Sequence, residues 1–445
     1  MLSLHGWRTR LIFWLGAIAV GATAAMFARL AEYAMLGFEW MLGHSGWLAL
    51  VITPAGLVLA VWLTRRFFTG AEGSGIPQTI AVVGGQQRQK RWRLLSLRIA
   101  LGKIILTALG LASGASIGRE GPSVQVGAAI LYRAGRLARF PRHEIERGLI
   151  LAGGAAGIAA AFNTPLAGII FAIEEMSRSF EERTTGTMLI AVIIAGMTAL
   201  AINGNYTYFG TAHVDITVHD WMIVPLCGIV GGLLGGVFSS ALVAGSRKIA
   251  PVLTAHPYRV ALGCGLAVAL LGLMSGGMVY GTGYREASAI LQGSAESSLL
   301  FPFFKMLATL SSYLSGIPGG IFAPSLSVGA GLGADLAPWF PTVPVAAMAI
   351  LGMVSYFAGV VQTPITAFVI VMEITGSHSM ALPLMAAAFI AYGASRLVCR
   401  EPIYRALARR FMEPDPSIPM KPEKARPAAT TPPDETTPPK SGPAV

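Results

Sequence analysis

Long apolar runs, rather than alternations, dominate the chain. Residues 11–28 carry no charged side chain, and neither do residues 46–64. A bilayer core accommodates about 20 apolar residues per helix, so both runs predict spanning helices. Further apolar blocks follow at 95–118, 122–138, 148–163, 165–176, 187–202, 221–245, 260–281, 306–318, 321–334, 343–372 and 379–395. Several are too short to cross alone, which predicts helices that start or stop inside the membrane. The expected fold class is all-α: a polytopic membrane protein with broken and re-entrant helices.

Composition agrees. The chain is 54% hydrophobic and 12% charged, with a mean hydropathy of +0.62. A soluble domain carries about 25% charged residues, so most of this surface must face lipid. The net charge of +11 fits basic cytoplasmic loops better than nucleic-acid binding. Basic groups lie at Arg8 and Arg10, Arg65 and Arg66, 86–92, 133–147, 178–183, Arg247 and Lys248, and 396–410, whereas 203–220 has no Lys or Arg. Putting each basic group inside places both termini in the cytoplasm. The first run lacks a small-residue cleavage site and reads as a retained helix. Cys227, Cys264 and Cys399 stand in apolar blocks without pair spacing, as buried hydrophobes do. The Pro/Thr-rich end, 413–445, is expected to be a disordered cytoplasmic tail, leaving 1–412 as the transmembrane domain.

That domain contains an internal repeat. SGASIGREGPSVQVGA (113–128) matches SGIPGGIFAPSLSVGA (315–330), and NTPLAGIIFAIEEM (163–176) matches QTPITAFVIVMEIT (362–375). Both matches lie about 200 positions apart and keep the same order. The loop charges place the two copies in opposite orientations, so halves of roughly 10–202 and 219–412 are expected to be inverted repeats. Such repeats, with short interrupted helices, characterise transporters that bind substrate near the bilayer midplane.

Three Gly/Pro breaks carry the chemistry: Gly73-Ser74-Gly75-Ile76-Pro77, Gly118-Arg119-Glu120-Gly121-Pro122 and Gly320-Ile321-Phe322-Ala323-Pro324. Each precedes a helix-compatible run. Proline suits the first turn of a helix, so each break predicts a helix start. A helix start exposes unpaired N–H groups and roughly half a positive charge. Several aimed at one point would hold an anion without a full countercharge, weakly enough to release it.

Charged side chains at membrane depth are costly and usually functional. Lys103, Arg119, Glu120, Glu174, Glu175, Lys305 and Glu373 qualify. Glu120 lies inside a break, so its carboxylate can occupy an anion's place. A low dielectric favours the neutral acid, and a protonated Glu120 would swing away and admit the anion. A structural pair with Arg119 or Lys103 is the competing role. Glu174 and Glu373 align in the repeat, which predicts a shared structural task such as capping broken backbone. Glu175 has no acidic counterpart, Ile374 standing there; it could take protons from the cytoplasm or be an interfacial charge. His5, His44, His143, His213, His219, His256 and His378 are scattered without ligand spacing, so neither a metal site nor an enzyme is expected. A cation transporter would need acidic side chains or carbonyl rings at the site.

GSGIP, GREGP and GIFAP, in that order, resemble the signature motifs of the CLC family of chloride channels and chloride/proton exchangers. The resemblance extends through GGAAGIAAAFNTPLAGIIFAIEEM to Pro402-Ile403-Tyr404. It implies that the Ser74 and Tyr404 hydroxyls coordinate a central chloride with the backbone N–H groups of Ile321 and Phe322. Gly75 and Ile76 of the first break, and Arg119 and Gly121 beside Glu120, complete the expected anion-binding set. Glu120 resembles the family's gating glutamate and external proton acceptor. Glu175 falls where the exchangers carry their internal proton-transfer glutamate. The family's nitrate-favouring members have Pro at the place of Ser74, and its fluoride exporters depart at the motifs and the tyrosine, so chloride is the expected ion. Gln78 stands where many relatives have Glu. The resemblance further implies a homodimer with one pore per subunit and, from its compact bacterial form, a cell inner membrane. The expected function is chloride/proton antiport in a lipid bilayer, with no cofactor, or alternatively an uncoupled voltage- or pH-gated chloride channel.

Overall fold

The structure, a computed structural model, describes residues 4–84, 93–138, 144–177, 182–204, 207–210, 216, 218–294 and 299–412. The basic loop 86–92, much of 178–183 and the 413–445 tail therefore lie outside the described residues. Among the described residues there are seventeen α-helices and no strand. They are α1 Leu4–His44, α2 Ala49–Phe67, α3 Ile76–Gly84, α4 Leu97–Ala112, α5 Glu120–Leu137, α6 Glu144–Phe162, α7 Pro165–Phe171 and α8 Glu182–Asn203. Then follow α9 Ile223–Ala255, α10 Pro257–Met274, α11 Tyr284–Leu291, α12 Phe301–Leu314, α13 Phe322–Leu336, α14 Val345–Val361, α15 Pro364–Thr375, α16 Ala381–Val398 and α17 Ile403–Met412. A π-helical turn, Ala172–Ser177, prolongs α7.

Among the described residues, six helical stretches are long and apolar enough to cross a bilayer: Arg10–His44, Gly46–Phe67, Gly186–Asn203, Asp220–Ala255, Pro257–Met274 and His378–Val398. Their outer faces are apolar. Leu97, Leu101 and Ile105 on α4, and Leu262, Leu266 and Leu270 on α10, repeat every fourth residue and are exposed, as lipid-facing stripes should be. By contrast α14 is buried at every position from Ala347 to Val361. An all-round apolar helix is the form that fits inside a bundle.

The chain departs from the sequence expectation in where some helices end. The first apolar run stops at Ala28, yet α1 continues to His44, because its charges are satisfied laterally. Arg29 donates to Ile202 O at 2.5 Å and to Asn203 Oδ1 at 3.2 Å, and Glu39 pairs with Arg285. The single run 343–372 is two helices. Gln362 turns back with φ 58° and Pro364 starts α15, since a proline ring cannot continue the preceding helix. The first half does the same at Asn163, also φ 58°, before Pro165.

These restarts leave N–H groups without helical partners, and the paired glutamates satisfy them crosswise. Glu174 accepts from Ile365 N at 3.2 Å and Thr366 N at 2.6 Å, at the start of α15. Glu373 accepts from Leu166 N at 3.2 Å and Ala167 N at 2.7 Å, at the start of α7. A carboxylate at a helix N-terminus also meets the positive end of its dipole. The expected capping task is thus met by exchange between the halves. Two buried lysines do the converse for carbonyls. Lys103 Nζ donates to Ala71 O at 2.7 Å and Gly73 O at 2.8 Å, and Lys305 Nζ to Val279 O and Gly281 O, both at 2.9 Å.

Backbone-close packing joins the short helices. A Cβ on Gly127 of α5 would strike the carbonyl of Gly153 on α6, and one on Gly329 of α13 the carbonyl of Gly352 on α14. The glycines let each helix pair approach to backbone contact, and the two pairs occupy equivalent places in the repeat. Replacing Glu174 or Glu373 by Ala should remove the carboxylate acceptors of two backbone N–H groups at once. Each variant is expected to lose about 2 kcal/mol of stability, read as an earlier loss of the monodisperse peak on heating in detergent. Equal stability of the Ala variants and the parent would refute the crosswise capping.

Candidate functional site

The three Gly/Pro breaks lie side by side and are sewn together by their backbones. Gly73 N donates to Ile317 O at 3.1 Å and Gly319 N to Gly73 O at 3.1 Å. Gly118 and Gly320 exchange both N–H···O bonds at 2.7 Å. These bonds satisfy irregular backbone that has no water to turn to. They also hold the starts of α3, α5 and α13 against one another. A Cβ on Gly121 would sit 3.0 Å from Ser74 O, and one on Gly320 would sit 3.1 Å from Gly121 N. Three positive helix ends therefore meet within one buried volume, the arrangement that favours an anion.

Glu120, the first residue of α5, is fully buried there. Its Oε1 accepts from the Tyr208 hydroxyl at 3.1 Å. The carboxylate also lies against the backbone N–H of Ala323 in the first turn of α13, and its Oε2 is close to Gly118. It occupies a position to which helix-start donors are directed, as an anion would. Of the two competing partners, Lys103 is committed to carbonyls, whereas Arg119 stays within electrostatic reach of the Glu120 carboxylate.

Ser74 precedes α3 and Tyr404 lies on α17, which packs on α3. Both side chains are fully buried and their hydroxyls are neighbours. Neither hydroxyl meets a protein hydrogen-bond partner of normal geometry among the described residues. Ile76 opens α3, Ile321 is the N-cap of α13 and Phe322 its first residue, and all three are buried. The Phe322 ring contacts Tyr404 at 5.7 Å, Phe357 at 4.8 Å and Phe171 at 5.9 Å between centroids, forming an aromatic wall beside the helix ends.

Glu175 sits in the π-helical turn and is buried, 1% exposed; it is not an interfacial charge. The widened turn separates two adjacent carboxylates: Glu174 caps α15, while Glu175 lies within electrostatic reach of Tyr404, which also senses Glu120. Tyr404 thus stands near both acids.

Two residues expected at the anion site also meet partners within the protein. Gly75 N donates to Gln78 Oε1 at 3.0 Å, so this N–H is used within the protein. Gln78 is the N3 residue of α3 and reaches back to the N-cap, as in a capping box; an amide does this as well as an acid. The Arg119 guanidinium lies 5.6 Å over the Tyr208 ring, beside the side chain that donates to Glu120. There it lines a cavity of about 350 Å³ with Arg29, Glu32, Tyr208, Tyr284 and Glu286. Sequence reasoning did not find Tyr208. It lies in the stretch after α8 without helical periodicity, 88 positions from Glu120, and only the absence of basic residues marks that stretch.

Interrupted helices, crosswise caps and a buried meeting of helix starts define a multi-pass helical membrane protein built around an anion-favouring centre. The comparisons place it more closely. A family model described as voltage gated chloride channel matches residues 56–396. The chain is 30% identical over 400 residues to the H(+)/Cl(-) exchange transporter ClcA of Vibrio parahaemolyticus, covering 85% of this chain and 84% of that one. It is 31% identical over 406 residues to the transporter of the same name from Vibrio vulnificus, covering 85% and 84%. The crystal structure of a slow cyanobacterial Cl-/H+ antiporter superposes with a TM-score of 0.81 at 26% identity, over 91% of this chain and 98% of that one. The chain belongs to the CLC family of voltage gated chloride channels and transporters.

Gly121→Ala should separate α3 from α5. Its added methyl meets the Ser74 backbone, which cannot give way without disturbing the whole junction. A loss of about 2 kcal/mol is expected, measured by thermal unfolding in detergent. An unchanged midpoint would contradict the contact.

Proposed function

We propose that this protein exchanges chloride for protons across a membrane, with Glu120 as the gate and external proton acceptor. The carrying observation is the Glu120 carboxylate lodged among converging helix starts, beside the Ser74 and Tyr404 hydroxyls. Ionised, it competes with chloride for the same donors. Protonated, it loses that attraction and leaves, and chloride takes its place. The Ser74 and Tyr404 hydroxyls then donate to the ion together with the N–H groups of Ile321 and Phe322. The buried lysines Lys103 and Lys305 are bonded to backbone carbonyls, which supports an ion held without a lysine ligand and so releasable.

Glu175 acts as the internal proton-transfer group. Its burial beside Tyr404 supports a proton path that parts from the chloride path on the cytoplasmic side. The relatives named for H(+)/Cl(-) exchange support antiport over a channel. The crosswise caps and matched glycine contacts support inverted halves of roughly 10–202 and 219–412. The basic loops support cytoplasmic termini in a cell inner membrane, and the exposed apolar faces of α8 and α16 support a homodimer with separate pores. The 413–445 segment is a cytoplasmic tail outside the transport domain, and chloride is bound as substrate without a cofactor.

The test is purified protein in liposomes, with chloride and proton fluxes recorded together under a chloride gradient. Wild type should drive protons uphill. Glu120→Gln should carry chloride without protons. Glu175→Gln should lower proton flux by roughly a hundredfold or more, within the range contributed by a positioned proton-transfer group, while chloride still flows. Retained coupling in Glu175→Gln would overturn its role. A wild-type reversal potential that ignores the pH gradient would make the protein a chloride channel.

A further inference from the structure

We infer that Tyr208 is a latch on the gate, a positioning residue whose hydroxyl holds the ionised Glu120 in the closed place; this rests on the reading of Glu120 as gate. Among the described residues, Tyr208 is the side chain that donates to this carboxylate, at 3.1 Å to Oε1. The donor is held in place by its surroundings. Its ring meets Phe162 of α6 edge-on at 5.0 Å, Phe209 at 4.9 Å and Tyr284 of α11 at 5.3 Å, with the Arg119 guanidinium at 5.6 Å. The next residue is tied to α15 by Phe209 N donating to Ile374 O at 3.1 Å. A ring boxed on these sides loses little further freedom when its hydroxyl bonds, which makes it an effective donor.

The same ring borders the charged cavity that Arg119, Tyr284 and Glu286 line. Tyr208 therefore touches both that cavity and the gate carboxylate. The latch is selective for charge. A hydroxyl donating to a carboxylate makes a charge-assisted bond, roughly twice as strong as one to a neutral acid. The bond is strong while Glu120 is ionised and weakens on protonation, so release is tied to the proton and not to thermal opening alone. The charged and titratable groups facing Glu120 are Arg119 from its own chain neighbour, Tyr208 from the segment after α8 and Tyr404 from α17. Arg119 and Tyr404 remain when the Tyr208 hydroxyl is removed.

Tyr208→Phe keeps the ring and its contacts and deletes only the hydroxyl. In liposomes it should raise chloride turnover at neutral pH by up to about tenfold, the worth of one hydrogen bond to a charged group. Its rate-against-pH curve should shift to higher pH, because less acid is then needed to free the carboxylate. Chloride binding by calorimetry should tighten in step, since the competitor is held less firmly. Tyr208→Phe added to Glu120→Gln should change none of these readings. An unmoved pH curve and unmoved chloride affinity in Tyr208→Phe would overturn the latch, as would equal effects in both backgrounds. A Glu120→Gln single variant that still couples protons would instead overturn the gate reading, and the latch with it.

Discussion

A backbone N–H that has lost its helical partner inside a bilayer has no water to bond. The crosswise caps, the buried lysines and the bonds between the breaks are answers to that constraint and to its counterpart for carbonyls. Where helices restart at Pro165 and Pro364, glutamates from the opposite half supply the acceptors. Where carbonyls are stranded before α3 and α11, buried lysines supply the donors. Where three helices start together, backbone bonds between the breaks satisfy part of the demand, and the remaining positive ends face Glu120. The site is the portion of the constraint that the protein leaves for a mobile charge.

This arrangement is what the proposed gate role of the Glu120 carboxylate rests on. In the proposed function, fixed helix dipoles face a negative charge that one proton can remove. A lysine or arginine in contact would work against release by holding the ion. The buried lysines lie close in sequence to the breaks yet are turned onto carbonyls instead. Gln78 fits the same logic. It caps α3 through an amide, adding no charge beside the meeting of the helix starts.

Much of this was legible in the chain. The three breaks, the repeat and the matched glutamates are local patterns, and each has a local cause: proline at a helix start, glycine at a tight turn, an acid where donors are orphaned. Their structural outcome followed from those causes. Less legible were the limits of helices whose charges find partners far away, as Arg29 and Glu39 of α1 do. The split of 343–372 was also hidden in an unbroken apolar run, although Thr363-Pro364 marked it and Thr164-Pro165 repeated it.

The chain by itself determined that the protein lives in a membrane, that its helices are interrupted at three points, and that Glu120 stands at one of them, because hydropathy, glycine and proline act on their own neighbourhoods. Only the tertiary structure decided that the three starts share one volume, that Gly75 is capped and Arg119 lies over Tyr208, that Glu175 is buried near Tyr404, and that Tyr208 reaches Glu120. Those are meetings between segments distant in sequence. They are set by how whole helices pack, and a local pattern of residues does not specify which distant side chain will fill a given space.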